Sequence, residues 1–475
     1  MQGCALIARV IVLVGSLGGL AGCGADAPPG PQGCPTEDEI RGACAGVPRA
    51  PVCDDETCTE DVACAAVERV GSDAELQAAA AAAAPGTCIA LAPGAYGAVA
   101  LPGGVSLLGR SVGDVTVQEV VLGAGEAAVV RGLTTSMIRV KGATGAMVES
   151  VRVRGSADSG MLVEPGASVA VSASTIEGSA LYGLFAVDAL AVSLDRVVIA
   201  GSGGPGLWVQ SSDDCAEPLA QPALDVKSSI VRGSHIAGVA LFGTRAAIAG
   251  LDIRATDPGV EFQTGRYGGG LSIASCSDVE AKGLRVHDSK SYGVLVEGSR
   301  VTLGGTGPEE DVEIHRNVTG LSIQNVPESF RIENSWLDEN QGFGIGLSGE
   351  SRGVIICRTR ISRTKRKTLP TLGAGAGAED VGHGISWTDG AEATISDVSL
   401  GASALASVLI DGEATGTLRH VTLSDGDEAL GIVQQNFTSG AQPAIEAGTP
   451  ALQEAAAALY PVPAPTDVLP KNLMP

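Results

Sequence analysis

The sequence predicts an all-β solenoid, a rod built from one repeating coil, and two observations support this fold class. A glycine followed by a short alternation of apolar residues recurs through the chain at Gly160, Gly183, Gly206, Gly238, Gly270, Gly293, Gly320, Gly344 and Gly384. These glycines are 23, 23, 32, 32, 23, 27, 24 and 40 residues apart. A second apolar pattern recurs between them, as in SVAVSASTIEG from Ser168 and SFRIENSWLDEN from Ser329. Self-similarity at such a period indicates a repeat architecture.

The repeat length indicates which elements form one coil. Two helices and their turns do not fit into 23 residues, but three strands of four or five residues with tight bends do. Valine, isoleucine and leucine at period two, with glycine, serine and asparagine at the breaks, are typical of strands and turns. At roughly 4.8 Å per coil, about a dozen coils would form a rod roughly 60 Å long.

The segment before the repeats identifies the type of solenoid. Residues Ser72 to Arg110, SDAELQAAAAAAAPGTCIALAPGAYGAVALPGGVSLLGR, resemble the opening of pectin-lyase-like domains. The resemblance implies a right-handed parallel β-helix of about a dozen coils with an N-terminal capping helix, over residues 71–426. We expect Ser72 or Asp73 to be the N-cap of that helix, and Pro85 with Gly86 to end it. The resemblance is specific for fold and not for activity.

The N-terminus has the pattern of an exported lipoprotein. Residues 1–22 contain one basic residue, Arg9, followed by an apolar run, which is typical of a signal peptide. The sequence LAGC that ends at Cys23 resembles the bacterial lipobox, so we expect Cys23 to be lipidated. This predicts a lipid-anchored protein of the cell envelope, in the outer membrane, on its periplasmic or its surface side.

Cysteines crowd into the segment that follows, residues 23–70, which we interpret as a stalk. In an exported protein such crowding indicates disulfides. The pairs we propose are Cys34 with Cys44, Cys53 with Cys58, Cys64 with Cys88 and, within the rod, Cys215 with Cys276. The six crowded cysteines alone allow 15 pairings, so this connectivity is one of several. Cys357 is left over as a free thiol.

The C-terminal region, residues 427–475, departs from the repeat. The alanine-rich segment from Thr449 to Tyr460 is compatible with a short capping helix. Five prolines lie between Pro461 and Pro475, which we interpret as a disordered tail.

Composition excludes one class of partner. The chain has 54 acidic and 31 basic residues, a net charge of −23. Binding to nucleic acid through bulk charge is therefore not expected. No metal-ligating motif or cofactor signature is present in the sequence, so we predict neither a metal nor a cofactor.

The residues needed for polysaccharide cleavage are not recognisable. The resemblance implies a comparison with enzymes of the pectin-lyase-like fold, which act mostly on acidic polysaccharides in a groove along one sheet. The carboxylates at outward positions of the glycine-led strands are Glu164 and Glu297, which are about five coils apart. Hydrolysis by two carboxylates needs the pair within about 10 Å. The fragments SSDDC at Ser211 and GHG at Gly382 resemble polygalacturonase motifs, but lie too many coils apart to share one bond.

Three aromatic residues, Phe185, Trp208 and Phe242, fall on successive glycine-led strands in a chain with only 3% aromatic residues. If they are exposed, they form a platform for stacking sugar rings. The alternative is that the long connection from Ser211 to Ala223 covers them, since exposed aromatic stripes are usually covered.

Basic residues concentrate in one short segment. It contains Arg358, Arg360, Arg363, Lys365, Arg366 and Lys367, and His383 follows a glycine-rich excursion. This basic segment is a candidate site for phosphate or uronate groups. The alternative is a solvated loop that offsets acidic neighbours. A second group of polar residues lies at turns entering the later coils and is the second candidate site if any catalysis occurs; the alternative is that these are solvated turn residues. They are Arg266, Tyr267, His287, Asp288, Lys290, Tyr292, His315, Arg316 and Asn317.

The functional prediction is a non-catalytic binding or structural rod, with anionic polysaccharide or lipopolysaccharide as its partner. The alternative is a lyase, epimerase or hydrolase that acts on acidic glycans. The two differ in whether the glycan is chemically changed.

Overall fold

The main chain winds around a core of stacked apolar side chains, and each turn adds one strand to each of three parallel sheets. The computed structural model describes residues 62–212, 223–258, 268–307, 310–327, 329–372, 378–388, 390–424, 431–437, 443–446, 448–455 and 460–465. One helix is described, α1 (Asp73–Ala82).

The first coils of the rod consist mostly of short strands. They are β1 (Ala66–Val70), β2 (Thr87–Leu91), β3 (Gly94–Tyr96), β4 (Val99–Leu101), β5 (Ser106–Gly109), β6 (Val115–Leu122), β7 (Gly125–Glu126), β8 (Val129–Arg131), β9 (Thr134–Val140), β10 (Ala143–Thr144), β11 (Ala146–Glu149), β12 (Arg152–Arg154), β13 (Met161–Val163), β14 (Ser168–Ser172), β15 (Thr175–Glu177), β16 (Leu184–Val187), β17 (Ala191–Asp195), β18 (Val198–Ala200) and β19 (Leu207–Gln210).

In the middle of the rod several strands lengthen and bend from one sheet into the next. These and the remaining strands are β20 (Ala223–Arg232), β21 (Ala237–Phe242), β22 (Arg245–Arg254), β23 (Gly269–Ala274), β24 (Asp278–His287), β25 (Tyr292–Glu297), β26 (Arg300–Leu303), β27 (Val312–His315), β28 (Thr319–Gln324), β29 (Phe330–Asp338), β30 (Gly342–Ser348), β31 (Val354–Ser362), β32 (Lys367–Leu372), β33 (Ala378–Trp387), β34 (Glu392–Ser396), β35 (Ser399–Gly401), β36 (Val408–Asp411), β37 (Thr415–Arg419), β38 (Thr422–Ser424), β39 (Ile432–Gln435), β40 (Ala444–Ile445), β41 (Leu452–Ala455) and β42 (Val462–Pro463).

The pairings define a right-handed parallel β-helix and confirm the predicted fold class. Sheet 1 holds the glycine-led strands, such as β19, β21, β23 and β25. Sheet 2 holds strands such as β14 and β17, and sheet 3 holds strands such as β15 and β18. The long strand β20 pairs with β17 through its first half and with β18 through its second half. It therefore belongs to sheets 2 and 3.

Inward-pointing residues of like size stack from coil to coil. In sheet 1 the register aligns Leu207 with Val239, then with Leu271 and Val294, and all four side chains are fully buried. Each buried aliphatic side chain stabilises the fold by about 1.5–3 kcal/mol. The period-two alternation of the sequence is the direct result, because successive side chains point to opposite faces of a strand.

The recurring glycine of sheet 1 is required because no space is left for a Cβ atom at its position. A Cβ atom on Gly183 would lie 2.3 Å from the Ile199 Cγ2 atom and 2.4 Å from the carbonyl oxygen of Gly206 on the next coil. Any other side chain here would force the coils apart. This explains why the glycine marks the repeat more reliably than the apolar residues around it.

The start of the rod is closed by α1, whose Leu76, Ala79 and Ala80 are buried against the first coil. Ser72 is the N-cap, as predicted, and its hydroxyl accepts a hydrogen bond from the Glu75 amide. The strand β1, which ends at the expected boundary at residue 70, precedes α1 and pairs in parallel with β2.

Two cysteine predictions are confirmed in the described residues. Cys64 and Cys88 form a disulfide with a Cα–Cα distance of 5.6 Å, and Cys357 is free and buried. Cys276 is also disulfide-bonded, while its predicted partner, Cys215, lies outside the described residues. The signal peptide, Cys23, Cys34, Cys44, Cys53 and Cys58 lie outside them as well.

The C-terminal region differs from expectation. The repeat continues beyond residue 426, because β39 pairs in parallel with β36 and β41 pairs with β39. Residues 452–455 of the predicted capping helix therefore form a strand. Residues 460–465, the closing segment, pack on the rod, and β42 within it pairs antiparallel with β32. Among the described residues no helix has the length and apolarity to span a membrane.

We expect Val209→Asp to abolish the cooperative thermal transition seen by circular dichroism. Val209 is fully buried, and an unpaired carboxylate there would lower the free energy of unfolding by several kcal/mol. Met147→Asp is the matched control, because Met147 lies on strand β11 and is 47% exposed. An unchanged melting curve for Val209→Asp would exclude this residue from the core.

Candidate functional site at the charged corner of sheets 3 and 1

The turn from sheet 3 to sheet 1 has one residue with left-handed backbone conformation in successive coils. In early coils this residue is glycine, as at Gly178. In four later coils it is Asp288, Arg316, Glu339 and Arg363, with φ of 61°, 56°, 52° and 52°. Such conformations cost about 1–3 kcal/mol for non-glycine residues and concentrate at functional sites. We therefore treat this charged corner as the candidate site.

The charges at the corner alternate in sign and pair between coils. Arg316 donates from Nε to Asp288 Oδ1 at 2.8 Å and from Nη2 to Asp288 Oδ2 at 2.9 Å. Arg363 Nη1 lies 2.8 Å from Glu339 Oε1. The pair of Arg316 with Asp288 is bidentate, and such pairs have fixed geometry. The corner is therefore an ordered ion network.

Two histidines stand beside this column, at the ends of β24 and β27. The His287 and His315 rings are stacked with centroids 4.9 Å apart. His287 Nδ1 is 2.7 Å from Asp288 Oδ2, and its Nε2 is 3.2 Å from Asp252 Oδ1. His315 Nδ1 accepts a hydrogen bond from Arg316 Nη1 at 2.8 Å.

The two histidine rings have opposite pKa shifts. Burial lowers the pKa of His287, but the hydrogen bonds and charges of Asp252 and Asp288 outweigh it and raise the pKa above its usual value. Burial, with the charges of Arg316 and His287, lowers the pKa of His315 to about 4. The hydrogen bonds from Arg316 hold the pKa of Asp288 far below its usual range, against burial.

This arrangement favours fixed charges over proton transfer. Both ring nitrogens of His287 contact carboxylates, so the ring is held in place. Asp288 is held ionised by Arg316. In the described part of the chain, no three His, Cys, Asp or Glu side chains are grouped so as to hold a metal ion.

Three of the six residues of the basic segment are ion-paired with the preceding coil. Arg358 Nη2 lies 2.6 Å from Glu333 Oε2, and Lys365 Nζ lies 3.0 Å from Glu339 Oε2. Arg363 pairs with both Asp338 and Glu339. For these three side chains, the interpretation as charges that offset acidic neighbours is supported.

Arg360, Arg366 and Lys367 make no ion pair with any other described residue. Arg360 points outward from sheet 3 and is exposed, as is Arg366, while Lys367 is half-buried at the start of β32. The basic segment thus runs around one coil, from the bend between sheets 2 and 3 to the edge of sheet 1. It does not converge on one pocket.

His383 is remote from solvent. Its side chain is fully buried, its Nε2 donates to the carbonyl oxygen of Pro461 at 3.0 Å, and its Nδ1 accepts from the Ala406 amide at 3.4 Å. Burial lowers the pKa of His383 to about 4. The expectation that it joins an anion site is wrong, because the closing segment covers it and burial keeps it uncharged.

The predicted aromatic platform is not exposed. Trp208 and Phe242 stack with centroids 4.9 Å apart and are each 1% exposed, and Phe185 is 9% exposed. The rings pack against one another and against Ile236 and Ala240. The rings are therefore buried, as the alternative expected, whereas their covering by the connection stays a prediction, because residues 213–222 lie outside the described residues.

The outer face of sheet 1 carries widely spaced acids among the described residues. Glu297 lies between Ala274 and Gln324 in neighbouring strands, and burial raises its pKa. Glu164 is five strands away in the same column, or about 24 Å at 4.8 Å per strand. This exceeds the separation of about 10 Å that two-carboxylate hydrolysis allows.

Sequence reasoning missed the acids that neutralise the basic segment and the tryptophan between them. These residues are Glu333, Asp338, Glu339 and Trp336. A signal for them exists, because the segment SFRIENSWLDEN lies one repeat before the basic segment. Aligning the two repeats places Asp338 beside Ser362 and Trp336 beside Arg360.

Comparison with known proteins gives structural matches alone. No protein-family model and no curated protein matches the chain. The A-module of the Azotobacter vinelandii mannuronan C-5 epimerase AlgE4 is 14% identical, with a TM-score of 0.39, over 84% of this chain and 99% of that module. The Streptococcus pneumoniae surface adhesin PfbA is 10% identical, with a TM-score of 0.36, over 77% and 86%.

A further match is the PL6 family alginate lyase AlyGC, 10% identical with a TM-score of 0.31, over 82% of this chain and 75% of the lyase. These proteins share the parallel β-helix architecture. At these identities the likeness concerns the fold alone.

We expect His383→Gln to reduce the acid sensitivity of the fold. The pKa of His383 is about 4 in the folded chain against an ordinary 6.5, so the unfolded state binds the proton first and stability falls as pH drops through this window. Glutamine keeps a donor for Pro461 and does not titrate. Thermal melts at about pH 7.5 and about pH 5 should differ less for the variant than for the natural protein. An equal difference would contradict this role for His383.

Proposed function

We propose that the protein is an exported, lipid-anchored rod of the cell envelope that binds acidic polysaccharide without chemically changing it. The observation that carries the proposal is the set of three cations, Arg360, Arg366 and Lys367, that have no ion partner within the described residues. In a chain of net charge −23, nearby acids would be expected to neutralise such cations, as they do Arg358 and Arg363. Unpaired guanidinium groups are suited to carboxylate or phosphate ligands.

Binding without chemical change is supported by how the acids at and beside the charged corner are used. Asp288, Glu333, Asp338 and Glu339 are all held in ion pairs with arginine or lysine. A general acid or base needs a free proton site near the reacting bond. A rigid network of paired charges on a parallel β-helix supports a static binding surface instead.

We expect the triple change Arg360→Ser, Arg366→Ser and Lys367→Ser to weaken binding to polygalacturonate roughly tenfold or more, since charge-assisted contacts are lost. The melting temperature should barely move, because exposed charges contribute about 0–1 kcal/mol each. Binding of the natural protein should also weaken with added salt. Titration calorimetry at low and physiological salt measures both effects.

The matched control changes three exposed cations that likewise make no ion pair in the described structure: Arg152→Ser, Arg154→Ser and Arg245→Ser. It removes the same charge elsewhere on the rod. Equal losses in the two triple variants would show that bulk charge, and not the basic segment, attracts the polymer. A parallel titration with lipopolysaccharide separates phosphate from uronate as the bound group.

The same samples test the enzymatic alternative. Incubation with polygalacturonate or alginate is followed by ultraviolet absorbance, which reports unsaturated products, and by a reducing-end assay. We expect neither signal to rise above that of a heat-denatured sample. Turnover by the natural protein above that control would overturn the non-catalytic part of the proposal.

The lipid anchor is tested separately, because it rests on the sequence around Cys23. We expect Cys23→Ala to move the protein from the membrane fraction to the soluble fraction of the expressing cells, since it removes the lipidated thiol. Immunoblotting of the two fractions measures this. Equal membrane retention would contradict lipidation at Cys23.

A further inference from the structure

The outer face of sheet 3 changes character at Trp336. In the three coils directly before it, outward side chains are ion-paired: Arg254 Nη2 lies 3.3 Å from Asp252 Oδ2, and Arg285 Nε lies 3.5 Å from Glu313 Oε2. After it, the positions in register with Trp336 are Arg360, then Ser399, then Thr422. The face therefore passes from a neutralised charge network to an aromatic ring, one cation and a run of hydroxyls.

Trp336 differs from the other two tryptophans of the chain. Trp208 and Trp387 are 1% and 0% exposed, whereas Trp336 is half-buried and points away from the core. Its indole Nε1 donates to Ser362 Oγ at 3.4 Å, and that hydroxyl donates to Asp338 Oδ1 at 2.7 Å. The ring is thus tethered at one edge and partly open to solvent.

Arg360 lies directly beside this ring. It is the register partner of Trp336, one strand spacing of roughly 4.8 Å away, and it is exposed. Acids near it are engaged elsewhere: Asp338 and Glu339 pair with Arg363. Within the described chain no ion pair neutralises Arg360.

We propose that Trp336 and Arg360 hold one uronate residue of an acidic polysaccharide, with the sugar ring on the indole and its carboxylate on the guanidinium group. The inference rests on the proposed binding of acidic polysaccharide and names the place where it occurs. A partly exposed indole offers a flat apolar surface for a ring, and arginine matches a carboxylate through two parallel hydrogen bonds. A chain that follows the rod axis would next meet the hydroxyl groups of Ser399 and Thr422.

The binding test compares two single variants with one control. Trp336→Ala and Arg360→Ser are each expected to weaken binding to polygalacturonate roughly tenfold, as measured by titration calorimetry. Arg152→Ser is the matched control, since Arg152 is exposed in the same column of sheet 3, has no ion pair in the described structure and lies far from any tryptophan. It should leave binding unchanged. Neutral dextran should bind to none of the proteins.

Tryptophan fluorescence tests the site in the natural protein and does not depend on how the variants fold. Because Trp208 and Trp387 are buried, acrylamide should quench mainly Trp336. Saturating polygalacturonate should protect this signal, and dextran should not. Unchanged quenching at saturation would overturn the proposal even if Trp336→Ala fails to fold.

The outcomes separate this inference from the proposed function. If the triple cation variant loses binding while Trp336→Ala retains it and quenching is unchanged, acidic polysaccharide binds elsewhere on the basic segment and this inference is wrong. If the natural protein does not bind polygalacturonate at low salt, the proposed function fails together with it. Loss of binding in Trp336→Ala and Arg360→Ser, but not in Arg152→Ser, supports both.

Discussion

The structure depends on the parallel, in-register stacking of coils. Backbone hydrogen bonds place each residue roughly 4.8 Å from the residue one coil later, usually about 23 positions along the chain. Each side chain must therefore fit beside the side chain at the same position of the next coil. Gly183 shows the steric side of this constraint, since a Cβ atom there would overlap Ile199 and the next coil. Leu207 and Val239 show the favourable side, because stacked aliphatic side chains fill the core.

The same constraint governs charge. Like charges in one column would stand within one strand spacing of each other and destabilise the rod, whereas opposite charges stabilise it. The column Asp288, Arg316, Glu339 and Arg363 alternates accordingly. This accounts for the way an acidic chain accommodates Arg358, Arg363 and Lys365, whereas Arg360, Arg366 and Lys367 have no such partner within the described residues.

Chain outside the regular coils covers the start of the rod and part of one sheet face near its other described end. At the start, α1 lies against the core beside β2, and the disulfide from Cys64 to Cys88 ties the entering chain to that first coil. Near the other end, the closing segment crosses the outer face of sheet 1 and buries His383, with Tyr460 and Gln435 exchanging two hydrogen bonds of 2.9 and 3.0 Å. Covering an open sheet face or edge limits association with other chains.

The sequence by itself determined the solenoid and its glycine column and placed the N-cap at Ser72 or Asp73, because a periodic pattern and local caps are encoded within one or two repeats. The pairing of Cys64 with Cys88 is one of several that the sequence allows, and the structure selects it. The tertiary structure decided which outward residues are covered and which charges meet. Phe185, Trp208 and Phe242 point outward in the sequence pattern, but direction alone does not reveal whether the rings pack on one another. Arg363 and Asp338 lie 25 residues apart, and only the register between coils brings them into contact. Repeats of 32 and 40 residues shift that register, so the pairing partners follow from the stacked coils and not from a fixed period.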